Sequence, residues 1–90
     1  MKIVAVCGMG IGTSIILKMN TEKAAQRLGI DAEVEVADIG TAAGAAATAD
    51  LVLTSAELAE ELEGLTVPVV VVTTFTSIDE IAEKLSAHTR

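Results

Sequence analysis

The 90-residue sequence contains one cysteine, one histidine, one proline and one phenylalanine, and it contains neither tryptophan nor tyrosine. A single cysteine excludes an internal disulfide, and with one histidine there is no Cys/His cluster for a structural zinc site. We therefore expect no metal and no cofactor. Because aromatic residues are almost absent, the core must consist of Val, Ile, Leu and Ala, a composition that favours a parallel sheet covered by helices.

Long apolar runs are also missing. Beyond the N-terminal segment, the longest stretch without a charged residue is residues 64–78, which has 15 residues and contains Pro68 and four threonines, whereas a membrane-spanning helix needs about 20 apolar residues. The N-terminus shows no basic region followed by an apolar stretch and a cleavage site, so we expect no secretory signal. These features predict a soluble cytoplasmic protein without direct membrane insertion.

The charge is unevenly distributed along the chain. The formal net charge is −7, yet residues 1–30 carry four basic residues against one acidic residue, a balance of +3. Residues 31–90 carry twelve acidic residues against two basic ones, a balance of −10. Without a basic stripe or an aromatic platform, nucleic acid is not an expected partner. The N-terminal third is the part most compatible with a bound anion.

Four apolar runs alternate with helical patterns, which predicts βαβ units and a parallel sheet. The runs cover residues 2–6, 32–37, 51–54 and 67–73. Glutamates alternate with valines in the second run, so that strand is expected at an edge with one face in solvent. We predict an α/β fold: a single doubly wound, Rossmann-like domain over residues 1–90, with a four-stranded parallel sheet of order 2-1-3-4 and helices on both faces.

The longest predicted helix covers residues 14–28. Leu17, Thr21, Ala24 and Leu28 share one face of it, which is expected to be buried, and Gly29 ends it as a C-cap. The small residues of segment 40–49 indicate either a short helix or a loose connection. Two further helices are expected after capping-box spacings. The first spacing is Thr54 to Glu57, before a short acidic helix, and the second is Ser77 to Glu80, before the last helix.

The only cysteine stands where the first strand ends and a glycine-spaced loop begins. The motif reads Cys7, Gly8, Met9, Gly10, Ile11, Gly12, Thr13, Ser14. Such a strand, loop and helix can bind an anion, because loop amides and the unpaired N–H groups of the first helical turn converge on one point. The glycines allow the backbone to curl around the anion, and the same donors favour a thiolate, which is a good nucleophile toward phosphorus.

Each of these assignments has a simpler alternative. The cysteine fits an inert buried residue, and the glycines fit a tight turn with close helix packing and no ligand. Thr13 and Ser14 either contact a phosphoryl oxygen or only cap the helix. In a doubly wound sheet, ligands bind at the carboxyl ends of the strands, so the loops after Thr54 and Thr73 are expected to border the site.

The segment from Cys7 to Ser14 at the end of the first strand resembles the IIB component of the bacterial phosphoenolpyruvate-dependent sugar phosphotransferase system. The similarity covers the whole chain and is greatest to the ascorbate type, with Lys18 early in the helix as the cue, and more distant to the galactitol and lactose/cellobiose types. It implies that Cys7 accepts a phosphoryl group from a phosphohistidine on a IIA partner. Cys7 would then pass that group to a sugar held by a membrane-embedded IIC transporter, while the backbone from Gly8 to Ser14 binds the phosphate.

Two other classes compete with this hypothesis. Small cysteine phosphatases and arsenate reductases use a similar strand and helix with a Cys-x5-Arg loop, but here the sixth residue after Cys7 is Thr13. Without that arginine or an Asp-Pro pair for a general acid, hydrolysis should be slow and a phosphocysteine should persist. A redox-sensing or regulatory module would need a second cysteine or a DNA-binding segment, and the sequence has neither.

Overall fold

The computed structural model describes residues 1–6, 11–62 and 64–89. Four strands alternate with four α-helices along this part of the chain. The strands are β1 (Lys2–Val6), β2 (Glu33–Ala37), β3 (Leu51–Thr54) and β4 (Val69–Val71). The helices are α1 (Ile11–Arg27), α2 (Ala42–Ala46), α3 (Ala56–Ala59), which continues into a 3₁₀ turn (Glu60–Leu62), and α4 (Ile78–Thr89).

The four strands form one parallel sheet in the order β2-β1-β3-β4, which confirms the predicted topology. Successive side chains of β1 point to opposite faces. Ile3 and Ala5 pack in a buried cluster with residues of α1 and α4, whereas Val4 and Val6 pack in a second cluster with α2 and the 3₁₀ turn. Helices therefore cover both faces, as expected for a doubly wound fold.

Helix α1 starts three residues earlier than predicted, at Ile11. Its buried face contains Leu17, Thr21 and Ala24, as expected, but Leu28 is 36% exposed and that part of the prediction is wrong. Leu28 follows the last helical residue, and Gly29 with φ 71° turns the chain away toward β2. The Gly29 N–H donates to the Gln26 carbonyl (3.1 Å) and the next N–H donates to the Ala25 carbonyl (2.9 Å). This pair of bonds is the Schellman motif that a C-cap glycine favours.

Strand β2 lies at the edge of the sheet, as predicted, with Glu33 and Glu35 exposed. The expected alternation is incomplete, because Val36 is 42% exposed although Val34 is buried. As an edge strand, β2 has a neighbouring strand on one side only, which leaves Val36 open to solvent on its other side.

Strand β4 is shorter than the predicted run of residues 67–73. The chain still pairs at both ends, since the Val52 N–H donates to the Pro68 carbonyl (3.0 Å) and the Val72 N–H donates to the Thr54 carbonyl (2.8 Å). In the small-residue segment the structure has a helix, α2, over its middle. The two alternatives for segment 40–49 are therefore resolved in favour of a short helix.

The first capping-box prediction is wrong. Helix α3 begins at Ala56, so the N-cap is Ser55, which makes no side-chain cap bond, and Thr54 belongs to β3. The second is half correct. The Ser77 hydroxyl accepts from the Glu80 N–H (3.1 Å), but the Glu80 carboxylate binds amides of the preceding loop instead of the Ser77 amide.

Candidate functional site

The candidate site lies at the carboxyl edge of the two central strands. Strand β1 ends at Val6, which is in register with Thr54 at the end of β3, and Thr54 is in register with Val71 at the end of β4. Helix α1 begins at Ile11, so the chain leaves the sheet and enters a 17-residue helix within four residues. Those four residues, Cys7, Gly8, Met9 and Gly10, lie outside the residues that the structure describes.

The second half of the motif is helical. Ile11, Gly12, Thr13 and Ser14 are the first four residues of α1, whereas the sequence pattern predicts a helix start at Ser14. The first N–H groups of a helix have no partner within it, and the aligned peptide dipoles add a positive potential at that end. The first turn of α1 contains no acidic residue that would cancel this potential. The helix start is therefore suited to an anion held near the end of β1.

The loop after β4 borders the same edge, and a carboxylate holds it. Glu80 on α4 accepts hydrogen bonds from the backbone N–H groups of Thr73 (2.6 Å) and Thr74 (2.9 Å). The Thr73 N–H is the main reason why the pKa of Glu80 lies below its ordinary value, while burial acts in the opposite direction and the Thr74 N–H and Lys84 lower the pKa further. Lys84 also donates to the Val71 carbonyl (2.8 Å) and so joins α4 to the end of β4.

The same loop is joined to α1. The Asn20 side-chain amide donates to the Phe75 carbonyl at 2.8 Å. With Glu80 on α4 and Asn20 on α1, both helices of that face hold the loop beside the sheet edge. The sequence predicts that this loop borders the site, but it does not identify Glu80 or Asn20 as the residues that hold the loop. Neither spacing along the chain nor periodicity predicts such contacts, because Asn20 and Phe75 are 55 residues apart.

Thr54, at the end of β3, does not have the environment expected of a helix-capping residue. Its side chain is fully buried, and its hydroxyl has no hydrogen-bond partner among the residues that the structure describes. Thr54 does not have the predicted cap role, because the N-cap position of α3 is the following residue, Ser55.

Three large apolar side chains are exposed on α1 between residues 15 and 19. Ile15, Ile16 and Met19 are 47%, 44% and 50% exposed. Lys18 is half-buried between them, and Lys23 is exposed one turn further along. These apolar side chains thus lie about half-exposed one turn after the helix start.

Comparison with known proteins agrees with this architecture. The sequence model of the family described as "PTS system, Lactose/Cellobiose specific IIB subunit" matches residues 2–87. The chain belongs to this IIB family. It is 39% identical to the ascorbate-specific PTS system EIIB component of Mycoplasma pneumoniae over 59 residues, which is 66% of this chain and 62% of that relative. The match thus spans less than two thirds of the relative's length.

The family fold is also found among solved structures. The lactose-specific IIB component domain from Streptococcus pneumoniae superimposes with a TM-score of 0.72, covering 100% of this chain and 98% of that chain. The sequence identity is 16%, so this likeness shows the fold and nothing finer. The resemblance inferred from the motif is therefore confirmed at the level of family and fold. Among the helices of the described residues, none is long and apolar enough to cross a membrane.

Proposed function

We propose that this chain is the phosphoryl-carrying IIB component of a sugar phosphotransferase system, with Cys7 as the residue that carries the group. The observation that supports it best is the position of the only cysteine. It directly follows β1, a central strand of the sheet, and precedes by four residues a helix without acidic residues in its first turn. Membership of the IIB family gives this position its chemistry. In this proposal residues 1–90 act as one IIB domain in the cytoplasm.

The transfer has two balanced steps. In the first, the Cys7 thiolate attacks the phosphorus of a phosphohistidine on the IIA partner, the S–P bond forms, and the N–P bond breaks with its electron pair returning to the imidazole. In the second, a sugar hydroxyl attacks the same phosphorus and the O–P bond forms, the S–P bond breaks with its electron pair returning to sulfur as the thiolate, and the hydroxyl proton passes to water. Neither step needs a metal or a redox cofactor.

The remaining motif residues bind the phosphoryl group in this proposal. Backbone N–H groups from Gly8 through Met9, Gly10, Ile11 and Gly12 to Ser14 would bind its oxygens, with side-chain hydroxyls from Thr13 and Ser14. The start of α1 at Ile11 supports this, because the unpaired N–H groups of the first turn belong to motif residues. Residue 13 is a threonine where the phosphatase loop has an arginine, so this position provides no guanidinium to stabilise the transition state of hydrolysis. This difference supports a carrier over a phosphatase.

The partners follow from the same family membership. We propose a IIA protein as phosphohistidine donor and a membrane-embedded IIC transporter that presents the sugar. An ascorbate-like sugar or a polyol is the proposed acceptor. The ascorbate-specific name of the Mycoplasma pneumoniae relative supports the former.

Reconstitution tests the proposal. The chain is mixed with a IIA protein that carries a phosphoryl group, and intact-mass spectrometry is expected to show a gain of about 80 Da, one phosphoryl group. Cys7→Ser should abolish the gain while the circular dichroism spectrum stays that of the folded protein. Rapid hydrolysis of p-nitrophenyl phosphate by the isolated chain would instead favour the phosphatase class. Failure of every IIA protein to transfer, or transfer that survives Cys7→Ser, would overturn the proposal.

A further inference from the structure

Exposed large apolar side chains are concentrated at one end of the molecule. Within the described part of the chain there are seven of them, and five lie toward the carboxyl edge of the sheet. These five are Ile15, Ile16 and Met19 in the first half of α1, Val36 near the end of β2, and Ile39 just after it. Met1 and Leu28 lie at the opposite edge, where β1 begins and α1 has ended. Apolar exposure is therefore greatest on the side of the candidate site.

Three of these side chains form one patch on α1. Met19 follows Ile15 by four residues and Ile16 by three, and residues at these spacings are neighbours on a helix surface. Each of the three is about half-exposed, whereas Leu17 is fully buried and packs in the core. We call Ile15, Ile16 and Met19 the α1 patch. Apolar side chains grouped in this way gain free energy when another molecule removes them from water, so the patch indicates a docking surface.

The charge around the α1 patch is positive, unlike the charge of the rest of the chain. Lys18 precedes Met19 and Lys23 follows it by four residues, while Glu22 is the only acidic residue of α1. The first turn of α1 contains no acidic residue, and the start of a helix adds a positive potential. Residues 31–90, in contrast, have a balance of −10. A partner that covers the patch is therefore expected to be negatively charged at the contact.

We propose that the α1 patch is the docking surface for the phosphorylated IIA donor, with Met19 as its central contact and Lys23 at its border. This inference rests on the proposed function, in which a IIA protein supplies the phosphoryl group. The donor brings a negatively charged phosphoryl group to the contact, whereas the IIC transporter presents a sugar hydroxyl. The positive charge around the patch therefore favours the donor as its occupant.

The kinetics of phosphoryl transfer test this surface. A phosphorylated IIA protein of the ascorbate type is mixed with the chain, and the half-saturating donor concentration and the limiting rate are measured. Met19→Glu is expected to raise the half-saturating concentration about tenfold, because the contact of one apolar side chain is lost and a negative charge faces the donor. The limiting rate should stay unchanged, since Met19 is not a reacting group.

Leu28→Glu is the matched control. It introduces the same charge at a partly exposed apolar side chain, but at the opposite edge of the sheet, and its kinetics should equal those of the wild type. Lys23→Gln tests the charge at the border of the patch. It is expected to raise the half-saturating concentration about threefold at low salt, and this effect should disappear at high salt.

Circular dichroism checks that the variants fold, and Ile15→Glu provides a second change in the patch if Met19→Glu does not. Wild-type kinetics in the folded glutamate variants would overturn the inference, and so would an equal effect of Leu28→Glu. A variant that lowers the limiting rate without changing the half-saturating concentration would also contradict docking. Transfer from the phosphorylated chain to sugar is then measured with membrane vesicles that contain the IIC transporter. A defect confined to this second transfer would assign the patch to the transporter and overturn the inference.

A binding measurement separates this inference from the proposed function. Amide chemical shifts of the isotope-labelled chain report binding of the same IIA protein without any transfer. If Met19→Glu abolishes binding that the wild type shows, but no phosphoryl group reaches the wild type, the docking surface stands and the proposed function is wrong. If the wild type is phosphorylated and the patch variants keep its kinetics and binding, only the docking surface is wrong.

Discussion

Replacing Glu80 by glutamine tests how the loop beside the site is held. The substitution keeps the size of the side chain and one acceptor oxygen but removes the negative charge that binds the amides of Thr73 and Thr74. A hydrogen bond to a charged group contributes about 1.5–3 kcal/mol when it is shielded from water. Because Glu80 is partly exposed, solvent screening reduces the loss, and we expect the free energy of unfolding to fall by about 1 kcal/mol at neutral pH.

The pH dependence gives this prediction its sign. The pKa of Glu80 in the folded protein lies below its ordinary value of 4.5, chiefly because the Thr73 N–H donates to the charged form. The charge therefore stabilises the fold fully above that ordinary value, and this contribution is lost as the pH falls through the lowered folded-state pKa. The wild type and Glu80→Gln should differ at pH 7 and converge in acid.

Thermal unfolding followed by circular dichroism at several pH values measures the effect. For a domain of this size, 1 kcal/mol corresponds to a shift in melting temperature of about 4–8 °C. Glu83→Gln is the matched control, since Glu83 is exposed on the same helix and its side chain makes no hydrogen bond within the described part of the chain. If Glu80→Gln melts like Glu83→Gln at pH 7, or if its difference from the wild type persists unchanged in acid, the account of the loop is refuted.

Two further predictions concern the frame that carries the site, and denaturant unfolding measures both. Gly29→Ala should lower the free energy of unfolding by about 1 kcal/mol, because φ is 71° at this position, although nothing lies within 4 Å of an added Cβ. Gly44→Ala should raise the free energy of unfolding by about 1 kcal/mol, because Gly44 is equally uncrowded but lies inside α2. Changes of the same sign in the two variants would contradict this reasoning. Leu53→Ala should lower the free energy of unfolding by about 2–5 kcal/mol, since Leu53 is fully buried in β3, and a loss below about 1 kcal/mol would mean that this core is not packed as described.

The topology is predictable from the sequence because it depends on patterns that repeat along the chain. Apolar runs separated by helical segments require parallel pairing through crossovers, and crossover handedness restricts the order of the strands. The glutamates of β2 likewise identify the edge strand, because the charged carboxylates of Glu33 and Glu35 have to stay in contact with solvent. Gly29 is predictable for the same local reason, because a glycine after a periodic helix favours the left-handed conformation.

The details that shape the site depend on contacts distant in sequence. The spacing from Thr54 to Glu57 satisfies a capping box, but register with Val6 and Val71 keeps Thr54 in the sheet and leaves the next residue to begin the helix. Glu80 has a cap spacing as well, yet the amides of Thr73 and Thr74 compete for its carboxylate. The catalytic role of Cys7 and the phosphate-binding role of Gly8 to Ser14 stay predictions, and residues 7–10 lie outside the described part of the chain.

The central claim is that the phosphoryl group is carried on the sulfur of Cys7, and locating the group after transfer tests it most directly. The chain is phosphorylated by a charged IIA protein, digested without reduction at a pH that preserves S–P bonds, and its peptides are sequenced by tandem mass spectrometry. The account predicts the added phosphoryl group on the peptide that contains Cys7 and its loss when the IIC transporter and sugar are supplied. A phosphoryl group on His88, or on a peptide without Cys7, would contradict it.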